Sequence, residues 1–275
     1  MGILQVTMRD IAVEARAAAV EFCLTSTFMA TVFTLVRWGV GTMPATASAN
    51  ELRLRVAAVS ILVGLVIVGF AVSPPGRFSG AHMNPAITLG LYASGSFPGR
   101  RVVPYLGAQI AGSVTAAALA GALWGSSPAA KPVQWAVVQP GPGWTGASVT
   151  VAEAMTLMVI VGVMCWMTAR RPNWPAAWIV GGLFGLQAAL LGTLTGGSAN
   201  PARQLGPALF SGESHLLAVY LLAPVAGGML AGRIARRLLT PRIRDFGSVA
   251  LRNGSWWGHV IKENLGDRAS ARAGR

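Results

Sequence analysis

Two Asn-Pro-Ala triplets, Asn84-Pro85-Ala86 and Asn200-Pro201-Ala202, are the residues whose types and spacing promise chemistry. Asn is a strong helix N-cap, and Pro is favoured at the first helical position. Each triplet therefore predicts the start of a helix. Its first turn carries unpaired N–H groups and the positive end of the backbone dipole, roughly +0.5 charge. If each Asn oxygen caps its own helix, the Asn84 and Asn200 amides are left as paired donors toward a passing oxygen. Two positive helix ends that face one another repel cations and oppose proton hopping along a water chain. Arg203 follows the second triplet directly. An arginine at membrane depth is costly, and there it reads as a donor and a barrier to cations.

Two acids occupy matching places near the start of apolar runs, Glu21 and Glu153. A proton relay through either would make a coupled transporter. The reading preferred here is that each accepts hydrogen bonds from the exposed loop N–H groups leading into its triplet. His82, two residues before Asn84, reads as a structural donor in the same loop. His215 and His259 show no ligand spacing. There is no metal-ligand cluster, no phosphate loop and no nucleophile–His–acid set in the sequence, so no metal, no cofactor and no enzyme activity is expected.

These residues must be positioned by a membrane bundle. Of 275 residues, 53% are hydrophobic and only 11% charged, where about 25% charged is usual for a soluble domain. Cys23 and Cys165 fall inside apolar segments of different halves and read as free thiols. The net charge of +13 does not point to nucleic acid, because ten of the 22 basic residues lie between Arg233 and Arg275 with only three acids. That is the pattern of flanks facing anionic lipid.

Six segments are long enough to cross a hydrocarbon core, which takes ~20 residues: about 17–38, 53–73, 102–124, 151–169, 175–195 and 214–235. The first run is longer than a signal-peptide core and contains Glu21, so it is read as a retained span despite Ala47-Ser48-Ala49, which resembles a cleavage site. The triplet segments, about 84–92 and 200–209, are too short to span and are expected to be re-entrant. Non-helical backbone at that depth is tolerated only where protein or water covers it. The Gly-rich approaches Ser79-Gly80-Ala81-His82 and Thr195-Gly196-Gly197-Ser198 should therefore line a cavity.

The halves align beyond the triplets. Leu89-Gly90 matches Leu205-Gly206, and Tyr105, Ala108-Gln109 and Gly112 match Tyr220, Ala223-Pro224 and Gly227. Three spans per half is an odd number, so the halves must insert with opposite orientation, as in inverted-repeat transport proteins. Gly181 and Gly185, like Gly228 and Gly232, are read as close helix crossings. With the N-terminus inside, Arg9, Arg16, Arg77, Arg100, Arg101, Arg170, Arg171 and the tail are all cytoplasmic. Loop 125–149 carries only Lys131 outside, although Arg53 and Arg55 border the other outer loop. The bias places both termini in the cytoplasm.

At these residues the chain resembles the aquaporin or major intrinsic protein family. The resemblance rests on the stretches Ser79 to Gly90 and Gly197 to Leu209, on Glu21-Phe22 with Thr25, on Ala108-Gln109 with Gly112, and on Tyr220 with Pro224. It covers about residues 14–237. It implies an all-α integral membrane protein with six transmembrane helices and two re-entrant half-helices in an inverted repeat, assembled as a homotetramer in the plasma membrane. The channel domain is expected over 1–237, with halves of about 12–124 and 150–237, followed by a basic cytoplasmic tail, 238–275. The family's selectivity depends on four constriction positions, which by ungapped spacing from the triplets fall on Gly64, Ala188, Gly197 and Arg203. Strict water channels of the family resemble one another in having an aromatic at the first and His at the second. The small residues here look like the wide filter of nodulin-like or glycerol-passing members. Gln204 stands where glycerol facilitators have Asp, and Ser73 to Phe78, with Arg77 in place of His, departs from the family's approach to the first triplet. The expected function is a passive channel for water and small uncharged solutes, glycerol and metalloid hydroxides such as arsenous or boric acid included. The rival readings are a proton-coupled transporter and a non-conducting scaffold.

Overall fold

The structure, a computed structural model, describes residues 8–44, 46–130 and 133–252. In hydrocarbon every backbone polar group must be satisfied within the chain, so apolar runs of this length become helices. The first half contains α1 (Met8–Gly39), α2 (Ala49–Val72), α3 (Pro74–Ser79), α4 (Pro85–Ser94) and α5 (Gly99–Trp124). The second contains α6 (Gly146–Arg170), α7 (Ala176–Leu191), α8 (Pro201–Ser211) and α9 (Leu217–Arg252). Helices α1, α2, α5, α6 and α9 are long and apolar enough to cross a membrane.

Three elements differ from the expected spans. The fifth segment, anticipated over 175–195, gives only the 16 residues of α7. That is a rise of about 24 Å, short of the ~30 Å hydrocarbon core. Its last turn closes on Leu191, whose carbonyl accepts from Leu194, Thr195 and Gly196 as the chain bends toward the second triplet. The stretch after the second span holds a short helix, α3, that the sequence reading did not anticipate. Ser73 caps it by accepting from the Gly76 N–H, and Pro74 and Pro75 open it. Finally, α9 runs without a break to Arg252, so the boundary expected at 237 falls inside a helix. Residues 253–275, with Trp256 and Trp257, lie outside the described residues.

The repeat is visible in the packing. Helix α1 pairs with α5 and α6 with α9, while α2 and α7 pack on each other between the halves. Each half-helix leans on the last span of the opposite half, α4 on α9 and α8 on α5. Small residues make these approaches. A Cβ on Gly232 would sit 2.2 Å from the Gly90 carbonyl, and one on Gly206 would sit 2.3 Å from Ser113 Oγ. Large apolar side chains such as Val103, Leu123 and Leu222 are exposed on the outside. That is an aggregation hazard in water and the ordinary surface of a bundle in lipid.

Candidate functional site

The two half-helices meet end to end at their asparagines. Asn84 Oδ1 accepts from the Ala86 N–H at 2.8 Å, and Asn200 Oδ1 accepts from Ala202 at 2.9 Å and Arg203 at 3.3 Å. Both therefore cap their own helices. The amide nitrogens are not left wholly to the lumen, as the sequence reading had them. Asn84 Nδ2 donates to the Ala199 carbonyl at 2.8 Å, and Asn200 Nδ2 donates to the Met83 carbonyl at 2.9 Å. These crossed bonds tie the two loops together. An amide carries two N–H donors, so one remains on each. Both asparagines line the same cavity.

The loops entering the triplets are strained, and the acids hold them. Ala81, Met83 and Ala199 adopt φ of 46°, 47° and 50°. Such left-handed backbone costs on the order of 1–3 kcal/mol per non-glycine residue and persists only where its surroundings enforce it. Glu21 Oε1 accepts from Ser79 Oγ at 2.8 Å and from the His82 N–H at 3.0 Å. Its Oε2 accepts from the Met83 N–H at 2.8 Å and Gln109 Nε2 at 2.9 Å. Glu153 Oε1 accepts from Thr195 Oγ1 and the Ser198 N–H, both at 3.1 Å, and its Oε2 from the Ala199 N–H at 2.7 Å. Both acids are fully buried, and neither lines the cavity. Tyr105 and Tyr220 donate to the Ser79 and Thr195 carbonyls at 2.7 and 2.5 Å, which repeats the arrangement in each half. The His82 ring shares a hydrogen with Thr88 at 3.0 Å and packs on Phe97 and Tyr105.

Segment 133–143 lies across the Arg203 end of the cavity and is bound there. Arg203 Nη1 donates to the Ala136 carbonyl at 2.9 Å. Gln204 grips Val138 twice, accepting from its N–H and donating to its carbonyl, each at 3.0 Å. Gln139 donates to Glu213 at 2.9 Å, and the Gly141 N–H donates to Leu194 at 2.7 Å. The guanidinium is thus fixed by a backbone carbonyl, which leaves its other donors for the lumen.

The cavity has a volume of about 440 Å³ and runs between α2 and α7 and past both re-entrant loops. Its walls are mostly apolar, with Val56, Val63, Ile67 and Phe184 among them. Three of the four expected constriction residues, Ala188, Gly197 and Arg203, line it. Gly64 does not. It faces α7, where a Cβ would sit 2.6 Å from the Gly181 carbonyl and 3.0 Å from Gly185 Cα. Gly64 is a helix-crossing residue, and Ser60, one turn earlier on α2, is among the residues that line the cavity. Gln187, beside Ala188, also lines the cavity and was not anticipated.

Comparison with known proteins agrees with this geometry. The family model described as "Major intrinsic protein" matches residues 10–234. The chain is similar to Aquaporin Z of Rhodopseudomonas palustris, 31% identical over 217 residues, which cover 76% of this chain and 90% of that one. It is 34% identical over 190 residues to Aquaporin AqpM of Methanothermobacter thermautotrophicus, covering 62% of this chain and 74% of the relative. The solved aquaglyceroporin from Plasmodium falciparum shares the fold, with a TM-score of 0.66, 84% of this chain and 98% of that one covered, and 19% identity.

Proposed function

The chain belongs to the major intrinsic protein family, and from that premise we propose a wide-filter channel that passes small uncharged solutes as well as water. Members of the family are passive channels and not enzymes, and this chain is an integral membrane channel of that kind. The observation that carries the wide filter is the small size of three side chains that line the cavity together with Arg203. Ala188, Gly197 and Ser60 present nothing larger than a hydroxymethyl group to the cavity. A polyol or a metalloid hydroxide such as glycerol, boric acid or arsenous acid fits where an aromatic ring and an imidazole would admit water alone.

Selection rests on the proposed roles of named groups. The remaining Asn84 and Asn200 N–H donors and the Arg203 guanidinium hold solute oxygens in turn. The two helix N-termini and the arginine charge oppose cations, and they orient water so that protons do not hop through. Glu21 and Glu153 act as loop holders, since their oxygens are occupied by hydrogen bonds away from the cavity. That supports facilitated diffusion over proton coupling. The Arg203 end is proposed to face outward and both termini the cytoplasm, supported by Arg77, Arg100, Arg101, Arg170 and Arg171 at the other end of the bundle. A homotetramer in the plasma membrane and a basic tail at the membrane surface complete the proposal.

Stopped-flow swelling of proteoliposomes in water, glycerol, urea, boric acid and arsenous acid tests this reading. Downhill flux of at least one solute larger than water supports it. Water flux alone rejects the wide filter, background flux throughout favours a scaffold, and uphill accumulation driven by a pH gradient favours a coupled transporter.

A further inference from the structure

We propose that Gln204 is a positioning residue of the selectivity filter: its amide clamps Val138 in segment 133–143 and so keeps the Ala136 carbonyl where it fixes the Arg203 guanidinium. The inference rests on the channel reading above and names what holds its arginine in place.

Gln204 follows Arg203 on α8, is fully buried and does not line the cavity, so it touches no passing solute. Its amide is satisfied by one residue. It accepts from the Val138 N–H and donates to the Val138 carbonyl, each at 3.0 Å. The two bonds fix the amide's orientation, because a flipped amide would set oxygen against oxygen and N–H against N–H. Two residues earlier in the same segment, the Ala136 carbonyl accepts from Arg203 Nη1 at 2.9 Å. Neighbours on α8 thus hold near neighbours on the segment, and hydrogen bonds and backbone together close a loop. Arg203, Ala136 and Val138 line the cavity, and Gln204 stands behind them.

The segment needs such a hold. Gln134, Trp135 and Ala136 adopt φ of 42°, 58° and 53°, three successive non-glycine residues in left-handed backbone. That conformation is unfavourable at each residue and persists only where its surroundings enforce it. Trp135 is anchored by its ring, which packs on Phe210 with centroids 5.2 Å apart. Past Val138, the Gly141 N–H donates to the Leu194 carbonyl. Between those anchors the clamp on Val138 is the nearest bond to Ala136 from outside the segment, apart from that of Arg203 itself. The Ala136 carbonyl is in turn the one hydrogen-bond acceptor of the guanidinium among the described residues. An arginine side chain freed of it has several rotamers open to it. Its charge then no longer stands at one place in the lumen, and the barrier to cations falls with distance.

The test measures proton conductance in vesicles under a potential, together with water and glycerol flux. It compares the wild-type protein, Gln204→Met, Gln204→Asn, Arg203→Val and the double variant of Gln204→Met with Arg203→Val. Met matches the length of Gln and makes no strong hydrogen bond. Asn keeps a buried amide but falls one methylene short of Val138. Conductance is expected to rise about five-fold in Gln204→Met, the equivalent of one ordinary hydrogen bond, with water flux per assembled channel within about two-fold of wild type. Gln204→Asn is expected to move in the same direction. Added to Arg203→Val, Gln204→Met should change conductance by less than about two-fold, because a residue that acts through Arg203 has nothing left to act on. Wild-type conductance in both single Gln204 variants would overturn the proposal. So would an undiminished Gln204→Met effect in the Arg203→Val background, or an Arg203→Val protein as tight as wild type. Failure of both Gln204 variants to assemble would make the residue purely structural and overturn it too. If the wild-type protein passes water and no glycerol, the wide-filter reading fails on its own. The conductance comparison still stands then, because it reads the placement of a charge and not the bore.

Discussion

Glu21 in the first half accepts four hydrogen bonds, the fourth from Gln109, whereas Glu153 in the second accepts three. The difference traces to one aligned position, because Pro224 stands where Gln109 does and has no donor to offer. The surroundings diverge in the same sense. The first loop is sealed by the His82, Phe97 and Tyr105 rings, with Thr88 and Gln109 hydrogen-bonded behind it. At the matching places the second loop has Ser198 for His82 and Gln204 for Thr88, and Gln204 reaches outward to Val138 in segment 133–143. One backbone plan thus serves two purposes. The first half-helix is anchored, and the second carries the arginine, the small-residue wall and the segment laid over them.

Breaking the anchors should give the largest effect, and an unequal one. Glu21→Leu removes the acceptor of four buried donors, of which Gln109 keeps its bond to Thr88, and Glu153→Leu removes that of three, at about 1–3 kcal/mol for each donor left unpaired. Losses of that size rival the whole stability of many folded proteins, about 5–15 kcal/mol. Glu21→Leu should yield little or no monodisperse protein by size exclusion in mild detergent. Glu153→Leu should yield more, with a lowered thermal midpoint. Equal yields would mean that the Gln109 contact contributes nothing to the asymmetry.

The charge of the second half is next. A unit charge about 4 Å away is worth ~4 kcal/mol at an effective dielectric of 20. Arg203→Val should therefore raise proton or cation conductance at least about ten-fold, while glycerol and water flux persist. Conductance at the wild-type level, measured with a pH-sensitive dye in vesicles under a potential, would remove Arg203 from the barrier.

Gln204→Ala sharpens the contrast more gently. It frees the N–H and carbonyl of Val138, two bonds of about 1 kcal/mol each. The expected outcome is a modest drop in thermal midpoint and faster proteolysis within 133–143, with the first re-entrant loop untouched. Unchanged proteolysis would show that Arg203 and Gln139 suffice to hold the segment. The smallest effect belongs to the chain's end. Truncation after Thr240 should leave assembly and neutral-solute flux intact and at most weaken binding to anionic vesicles, read by flotation. Loss of permeability would make the end of α9 part of the channel.

What could be read from the sequence divides along the range of the interactions. The half-helix starts are local, Asn then Pro, and were legible; the ends expected at about 92 and 209 fall two residues short of Ser94 and Ser211, after which Gly95 and Gly212 turn left-handed at φ 79° and 71°. The pairing of each acid with its loop followed from the repeat, since Glu21 and Glu153 recur with the triplets. The contacts between halves were not legible. That Asn84 binds Ala199 and Asn200 binds Met83 depends on how two segments more than a hundred residues apart meet. The partner of Gln204 is likewise a segment with no sequence mark of its role. That Gly64 meets α7 and does not line the cavity is also a contact between distant segments, which a count back from Asn84 does not reveal.

The central claim is that the second half holds a wide filter walled by small residues, and Ala188 is the position that tests it most directly. Ala188→His places an imidazole on α7 at the level of Gly197, against which Ala188 already packs. The measurement is the ratio of glycerol to water permeability in proteoliposomes, with protein content matched. The account predicts that the ratio falls at least about ten-fold, as a filter that rejects a solute by bulk should, with water flux reduced far less. A ratio that does not move, with the variant folded and conducting water, would contradict it and place the selecting constriction elsewhere in the channel.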